Sequence, residues 1–178
     1  MVMRLATALS FLLLATPALA QQIVPTAPHP ADKKPNDPSV PDAYAISGQF
    51  ERIVVMRMKF QSDLLAGLQA LAKKEGIKNG VILAGVGSLR GYHVHQVHNR
   101  DFPTINIFTK KPDTPVDLVG MNGYIVNGAV HAHVTLGTGD SAIAGHLEPG
   151  TEVFTYVIVT VGVMNGTDLG KVDDKTYR

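Results

Sequence analysis

Residues 129–164, AVHAHVTLGTGDSAIAGHLEPGTEVFTYVIVTVGVM, decide the fold class of this chain. The segments AVHAHVTLG, SAIAGHL and TEVFTYVIVTVGVM predict three strands because they are rich in β-branched residues and alternate in part between apolar and polar positions. Turn residues at 137–140 and 148–150 separate them. Such short gaps favour antiparallel neighbours, since parallel strands need longer crossover connections.

Upstream of this region the sequence predicts a strand followed by a helix. QFERIVVMRMKF, residues 49–60, reads as the strand. Ser62 is predicted as the helix N-cap with Asp63 in the first turn, and Gly76 is placed to end the helix. An apolar stripe at helical spacing is formed by Leu64, Leu65, Leu68, Leu71 and Ala72.

Between that helix and residue 129 the chain is again rich in strand-forming residues. VILAGVGS and LRGYHVHQVHN predict two strands joined at a glycine turn, and VDLVGMNGYIV predicts another before the turn Asn127-Gly128. The polar segment Asn99 to Pro115 is expected to be a loop with one short strand at Ile105–Phe108. The predicted class is therefore α+β: a central, mostly antiparallel β-sheet with one main helix packed on it.

The amino-terminal segment predicts export. Residues 1–20 combine a short basic start, an apolar stretch too short for a comfortable membrane span, and an A-x-A type end. We expect a signal peptide cut after Ala20 and a periplasmic or secreted protein without a later membrane span. Residues 21–46 hold six of the eleven prolines and predict a disordered or extended linker. The folded domain is expected over 47–166, with a tail at 167–178.

Composition excludes several classes of function. The absence of cysteine removes disulfides, zinc–thiolate clusters and cysteine nucleophiles. The net charge of +1 gives no long-range attraction to nucleic acid. The glycines of GVGSLRG, residues 85–91, are followed by a strand-like segment and not by the helix that a phosphate-binding loop requires, so they predict a β-turn.

Three histidines form the best candidate site. His131 and His133 lie two apart in a predicted strand, so their side chains share one face. The glycine-containing turn after them would bring His146 back beside that strand. Three imidazoles with a fourth position open are a common zinc arrangement. The alternative is that these histidines lie on a wet sheet surface or at a subunit contact.

Other titratable residues are weaker candidates. His93 and His95 also alternate on one strand and could support the metal ligands from a second shell or be surface residues. Glu148 could act as a general base for a metal-bound water, or could be only a turn carboxylate. His29, in the linker, is interpreted as a solvated residue.

The order of these segments resembles the plants-and-prokaryotes-conserved domain family (PPC or PCC). The resemblance runs from about Phe50 to Met164 and is most specific in H-x-H-V-x-L followed by G-H-L-x-x-G-T-x-V. It implies a compact domain assembled as a homotrimer. It also implies a divalent metal, with zinc expected, at His131, His133 and His146. A small-molecule ligand at the metal is compatible with this, and the resemblance does not say whether the protein is an enzyme.

The family also carries a DNA-binding label, which plant members owe to arginine–glycine–arginine AT-hooks. This chain departs from that pattern, because it has no R-G-R-P segment and its linker has only Lys33 and Lys34 as a basic pair. Nucleic acid is therefore an unfavoured partner. A further alternative is a non-catalytic, oligomeric interaction or ligand-binding module without metal.

Overall fold

A computed structural model describes residues 22–25, 39–101 and 103–172 of the chain. The predicted signal peptide and His29 lie outside the described residues. Of the predicted linker, residues 22–25 and 39–46 are described, and Gln22–Pro25 forms a short strand that pairs with a later one.

The described residues contain eight strands, one α-helix and one 3-10 helix. The helix α1 spans Leu64–Lys74 and the 3-10 helix spans Leu169–Val172. Both are too short to cross a bilayer, and no described helix has the length and apolar character that crossing requires. The strands are β1 Gln22–Pro25, β2 Phe50–Lys59, β3 Gly80–Val97, β4 Ile105–Lys111, β5 Val116–Val126, β6 Ala129–Gly137, β7 Ala142–Leu147 and β8 Glu152–Met164.

All strand pairings are antiparallel, as predicted, and β3 is the central strand. One edge of β3 pairs with β4 and β5, and its other edge pairs with β7 and β8. Since β5 pairs with β6 and β6 with β7, the path β3–β5–β6–β7–β3 closes on itself. The single helix and large antiparallel sheet confirm the predicted elements, although the sheet dominates and the α+β class fits only loosely.

The core lies inside this closed sheet and under α1. Leu64, Leu68 and Ala72 are buried, with Leu65 and Leu71 packed at the edge of the cluster, so the predicted helical stripe is confirmed. The inward residues of β6 are Ala132, Val134 and Leu136. Because side chains alternate along a strand, the residues between them, including both histidines, lie on the outer face.

The helix N-cap differs from the prediction by one residue. Asp63, not Ser62, occupies the N-cap, and its Oδ1 accepts a hydrogen bond from the backbone N of Ala66 at 2.8 Å. Its Oδ2 accepts from the backbone N of Gly150 at 2.6 Å. Ser62 turns back instead to the carbonyl of Lys59. A carboxylate can serve two donors at once, which a serine hydroxyl at this position does not do.

The prediction of two strands joined at a glycine turn is wrong, because residues 80–97 form one continuous strand. Gly87 has φ 153°, and a Cβ there would lie 2.3 Å from the carbonyl oxygen of Tyr156 on β8. Glycine is therefore needed for close approach between β3 and β8 and does not reverse the chain. The register shifts between Ile82 and Ala84 and again after Gly87 bend the strand without ending it.

One connection differs from its prediction in detail, and another agrees with it. The short strand predicted at Ile105–Phe108 extends to Lys111 as β4. The turn Asn127-Gly128 is confirmed, with positive φ at both residues (51° and 83°), as a two-residue hairpin between right-twisted strands requires.

Candidate metal centre

Three imidazoles converge on the outer face of β6 and β7. One ring nitrogen of each of His131, His133 and His146 lies within 4.8 Å of the others. His133 and His146 are direct cross-strand partners, and His131 lies one alternation along β6. The ring centroids of His131 and His146 are 4.7 Å apart, and those of His133 and His146 are 5.2 Å apart. The turn at 137–140 thus places the third histidine beside the other two.

The site belongs to a row of residues that runs across five strands. Cα partners along it are Phe108 on β4, His95 on β3, His146 on β7, His133 on β6 and Asn122 on β5. Directly paired residues point to the same face of a sheet. The closure of β7 against β3 therefore adds His95 to the neighbourhood of the three histidines.

The environment keeps two of these imidazoles neutral. Burial first, and then the neighbouring imidazoles, His131 foremost, lower the pKa of His146 to about 4, while Glu148 opposes the shift. The pKa of His133 is also lowered, by burial first and then by His131 and His95. A neutral imidazole is the form that ligates metals. These two donors are therefore available without loss of a proton near neutral pH.

The donor set fits a divalent cation such as zinc. Nitrogens bound to one tetrahedral zinc at about 2.1 Å lie about 3.4 Å apart. The separations in the cluster, up to 4.8 Å, exceed this by an amount that side-chain rotation can remove. His131 and His133 are exposed, so the rings are free to rotate and the outer side of the cluster is open to a further ligand.

His95 and Glu148 form a pair at the edge of the cluster. The Nδ1 of His95 lies 2.6 Å from Oε1 of Glu148, and both side chains are about one fifth exposed. The His95 ring lies between Phe108, at 5.0 Å between centroids, and His146, at 4.7 Å. Glu148 thus contacts a histidine beside the cluster, and its carboxylate fixes the orientation of that ring.

His93 is not part of the three-histidine group and has a different environment. Its Nδ1 lies 2.9 Å from the carbonyl oxygen of Pro149, and its backbone N donates to Oγ1 of Thr151 at 3.0 Å. Thr151 is fully buried, and its hydroxyl is within hydrogen-bonding distance of the carbonyl oxygens of His93 and Glu148. These contacts hold the β7–β8 loop and so the backbone of Glu148.

Sequence reasoning missed the residues that β5 contributes to this face. Tyr124 is the cross-strand partner of His131, and Asn122 that of His133. The turn Asn127-Gly128 could have predicted these partners, because a two-residue turn fixes the register of both strands of a hairpin. The contact of His95 with His146 needed the β3–β7 pairing, for which no local signal exists.

The fold and site agree with a known family. The pattern of the Plants and Prokaryotes Conserved (PCC) domain matches residues 45–165, which is well over half of the chain. The chain therefore belongs to the PCC domain family, as the resemblance indicated. No curated protein matched the sequence.

Solved structures share the fold at low sequence identity. A metal-containing protein from Archaeoglobus fulgidus is 19% identical, with a TM-score of 0.61 over 70% of this chain and 87% of its own. A plant- and prokaryote-conserved protein from Pyrococcus horikoshii is 24% identical, with a TM-score of 0.58 over 71% and 87%. A Bacteroides thetaiotaomicron protein with a provisional DNA-binding label is 21% identical, with a TM-score of 0.54 over 67% and 83%. At these identities the likeness concerns the fold.

Proposed function

We propose that this protein binds one divalent cation, zinc, through His131, His133 and His146. The observation that carries the proposal is the convergence of three imidazole nitrogens from two paired strands on one open sheet face. The lowered pKa of His146 and of His133 supports it, because metal and proton compete for the same nitrogens. A neighbour of the same fold is metal-containing, which is consistent with this function.

The arrangement leaves a coordination position for a small ligand. Three histidine ligands satisfy three positions of a tetrahedral zinc, and a zinc with an open position acts as a Lewis acid on an oxygen ligand. The chain's own contribution is to hold neutral rings on a stiff sheet and to keep the His95 ring beside them through Glu148.

Metal analysis tests the proposal directly. Untagged protein, loaded with zinc and dialysed, should retain about one equivalent per chain. His133→Ala should lose it, because two imidazoles bind zinc far more weakly than three. His98→Ala is the matched control, since His98 is exposed and lies beyond the end of β3. Wild-type protein that retains no metal would refute the proposal.

We further propose that the chain works as a homotrimer, as family resemblance implies. An exposed apolar face supports self-association: Ile53 and Val55 on β2, Val86 on β3 and Tyr156 on β8 are each about half exposed or more. Exposed apolar side chains grouped on one sheet face often mark protein–protein contacts. Light scattering should give three times the chain mass. Val55→Lys should reduce it, whereas Val97→Lys, at a similarly exposed valine, should not.

Export completes the proposed function. Residues 1–20 carry the features of a signal peptide, so the protein is expected in the periplasm or outside the cell. Amino-terminal sequencing of protein from a periplasmic fraction should begin at Gln21. A chain recovered from the cytoplasm with Met1 intact would contradict this.

A further inference from the structure

An apolar pocket of about 530 Å³ lies next to the histidine cluster. It is lined by Tyr124, Val126, Ala129, His131, Leu169 and Val172. Its volume is within the range of small-molecule sites, about 300–1,000 Å³. Five of the six lining residues are apolar or aromatic, and the sixth is His131.

The pocket and the histidine cluster lie on one continuous surface. Its floor consists of two cross-strand pairs of the β5–β6 hairpin, Val126 with Ala129 and Tyr124 with His131. The next outward pair along the same face is Asn122 with His133. His131 therefore lines the pocket and also lies 4.7 Å, between ring centroids, from His146. Because His131 belongs to both the pocket and the histidine cluster, a molecule that fills the pocket lies directly beside the three histidines.

The wall of the pocket is anchored to the rest of the fold. The 3-10 helix supplies Leu169, which is almost fully buried, and Val172, which is 59% exposed. The hydroxyl of Tyr44 donates to the carbonyl of Lys171 at 2.8 Å, and the backbone N of Leu169 donates to Oδ1 of Asn79 at 3.3 Å. These contacts fix the wall, so the pocket exists before a ligand arrives and binding needs little ordering.

We propose that this pocket binds the apolar part of a small monocarboxylate, whose carboxylate lies at the cation held by His131, His133 and His146. The inference rests on the proposed metal function. The lining carries no lysine, arginine or acid. A charged ligand end is therefore not compensated inside the pocket and must lie at its histidine end. There a divalent cation with three neutral ligands supplies a positive charge, which a carboxylate oxygen matches.

The test is a chain-length series measured by calorimetry on the zinc-loaded, full-length protein. Acetate, butyrate and hexanoate share the carboxylate and differ in apolar length. Affinity should rise by about fourfold for each methylene that enters the pocket. Zinc content is measured on the same samples. If the protein retains no zinc, the proposed metal function is wrong. If it retains zinc but binds hexanoate no better than acetate, only the pocket proposal is wrong.

Variants locate the effect. Val172→Asp puts a charge at the rim and should abolish the gain from acetate to hexanoate, with zinc content unchanged. Val97→Asp alters a valine of similar exposure outside the pocket and should keep the full gain. If Val172→Asp does not fold, Ala129→Leu fills the floor with a larger apolar side chain and should exclude hexanoate while admitting acetate. Retention of the full gain in a folded pocket variant would place the apolar tail elsewhere and overturn the proposal.

Discussion

Glu148 accepts a hydrogen bond from Nδ1 of His95 across 2.6 Å, which joins the β7–β8 loop to the central strand beside the histidine cluster. An ionised carboxylate only accepts hydrogen bonds, so the proton in this contact resides on Nδ1 of His95. The pair therefore sets both the orientation and the tautomer of a ring that contacts His146.

Glu148→Ala should release the His95 ring without removing the metal ligands. We expect the Nδ1–H tautomer in the wild type and a loss of this preference in the variant, as measured from the ring nitrogen shifts by NMR. Zinc content should remain near one equivalent, because Glu148 is not part of the three-histidine group. Glu152→Ala, which breaks an exposed ion pair with Arg90, is the control and should leave the His95 tautomer unchanged. An identical tautomer in Glu148→Ala would contradict this role.

Acid should destabilise the metal-free protein through His146. In the unfolded chain the His146 ring takes up a proton near its ordinary pKa of 6.5, whereas in the folded protein its pKa is about 4. The unfolded state therefore binds more protons between these values, so the free energy of unfolding falls as the pH falls through that window. Denaturant titrations from pH 7 to 4 measure the slope. The lowered pKa of His133 adds to it in the same direction.

An NMR titration of the His146 ring provides the site-specific check, with a midpoint expected near 4. His146→Gln removes the titrating group and should make the stability curve flatter across the same window. A midpoint near 6.5 in the folded protein would show that the ring is more hydrated than its packing against His131 and His95 implies.

Gly87→Ala should destabilise the fold strongly. The added methyl would lie 2.3 Å from the carbonyl of Tyr156, and the positive φ disfavours any side chain. Either β8 moves or the strand pairing breaks, at a cost of about 2 kcal/mol or more. Urea unfolding followed by circular dichroism measures it. Gly139→Ala is the matched control, since nothing lies within 4 Å of its Cβ position, and it should change stability little.

Asp63 should contribute more to stability than an N-cap alone. Asp63→Ala loses the bond to Ala66 and the bond to Gly150, so its cost should exceed the value of about 1 kcal/mol for a lost cap. Asp63→Asn keeps an oxygen for the helix but cannot satisfy both backbone donors. Its free energy of unfolding should therefore lie between that of the wild type and that of Asp63→Ala. Ser62→Ala tests the N-cap predicted from the sequence and should cost less than Asp63→Ala. If Ser62→Ala and Asp63→Ala lower the free energy of unfolding equally, the assignment of Asp63 as the N-cap is contradicted.

Local patterns in the sequence predicted the antiparallel strands, the helical stripe and the meeting of three histidines. Each follows from neighbours within about 15 residues, such as the turn that joins His133 to His146. The continuity of β3 could not be predicted, because the need for Gly87 comes from the backbone of Tyr156, about 70 residues later. Similarly, Ser62 and Asp63 are equally suitable N-caps in the sequence. Only the fold brings the backbone N of Gly150 to Asp63 as a second donor.

The β3–β7 pairing is formed by only two residue pairs, Val94 with Leu147 and His95 with His146. Only two residue pairs therefore hold β7 to β3, whereas five pairs hold it to β6, and a cation bound to His133 on β6 and His146 on β7 would add a further link on the β6 side. Zinc binding should therefore change the rates of amide hydrogen exchange. The amide protons of β7 should exchange more slowly in the zinc-loaded protein, while those between β2 and β8 should exchange at unchanged rates.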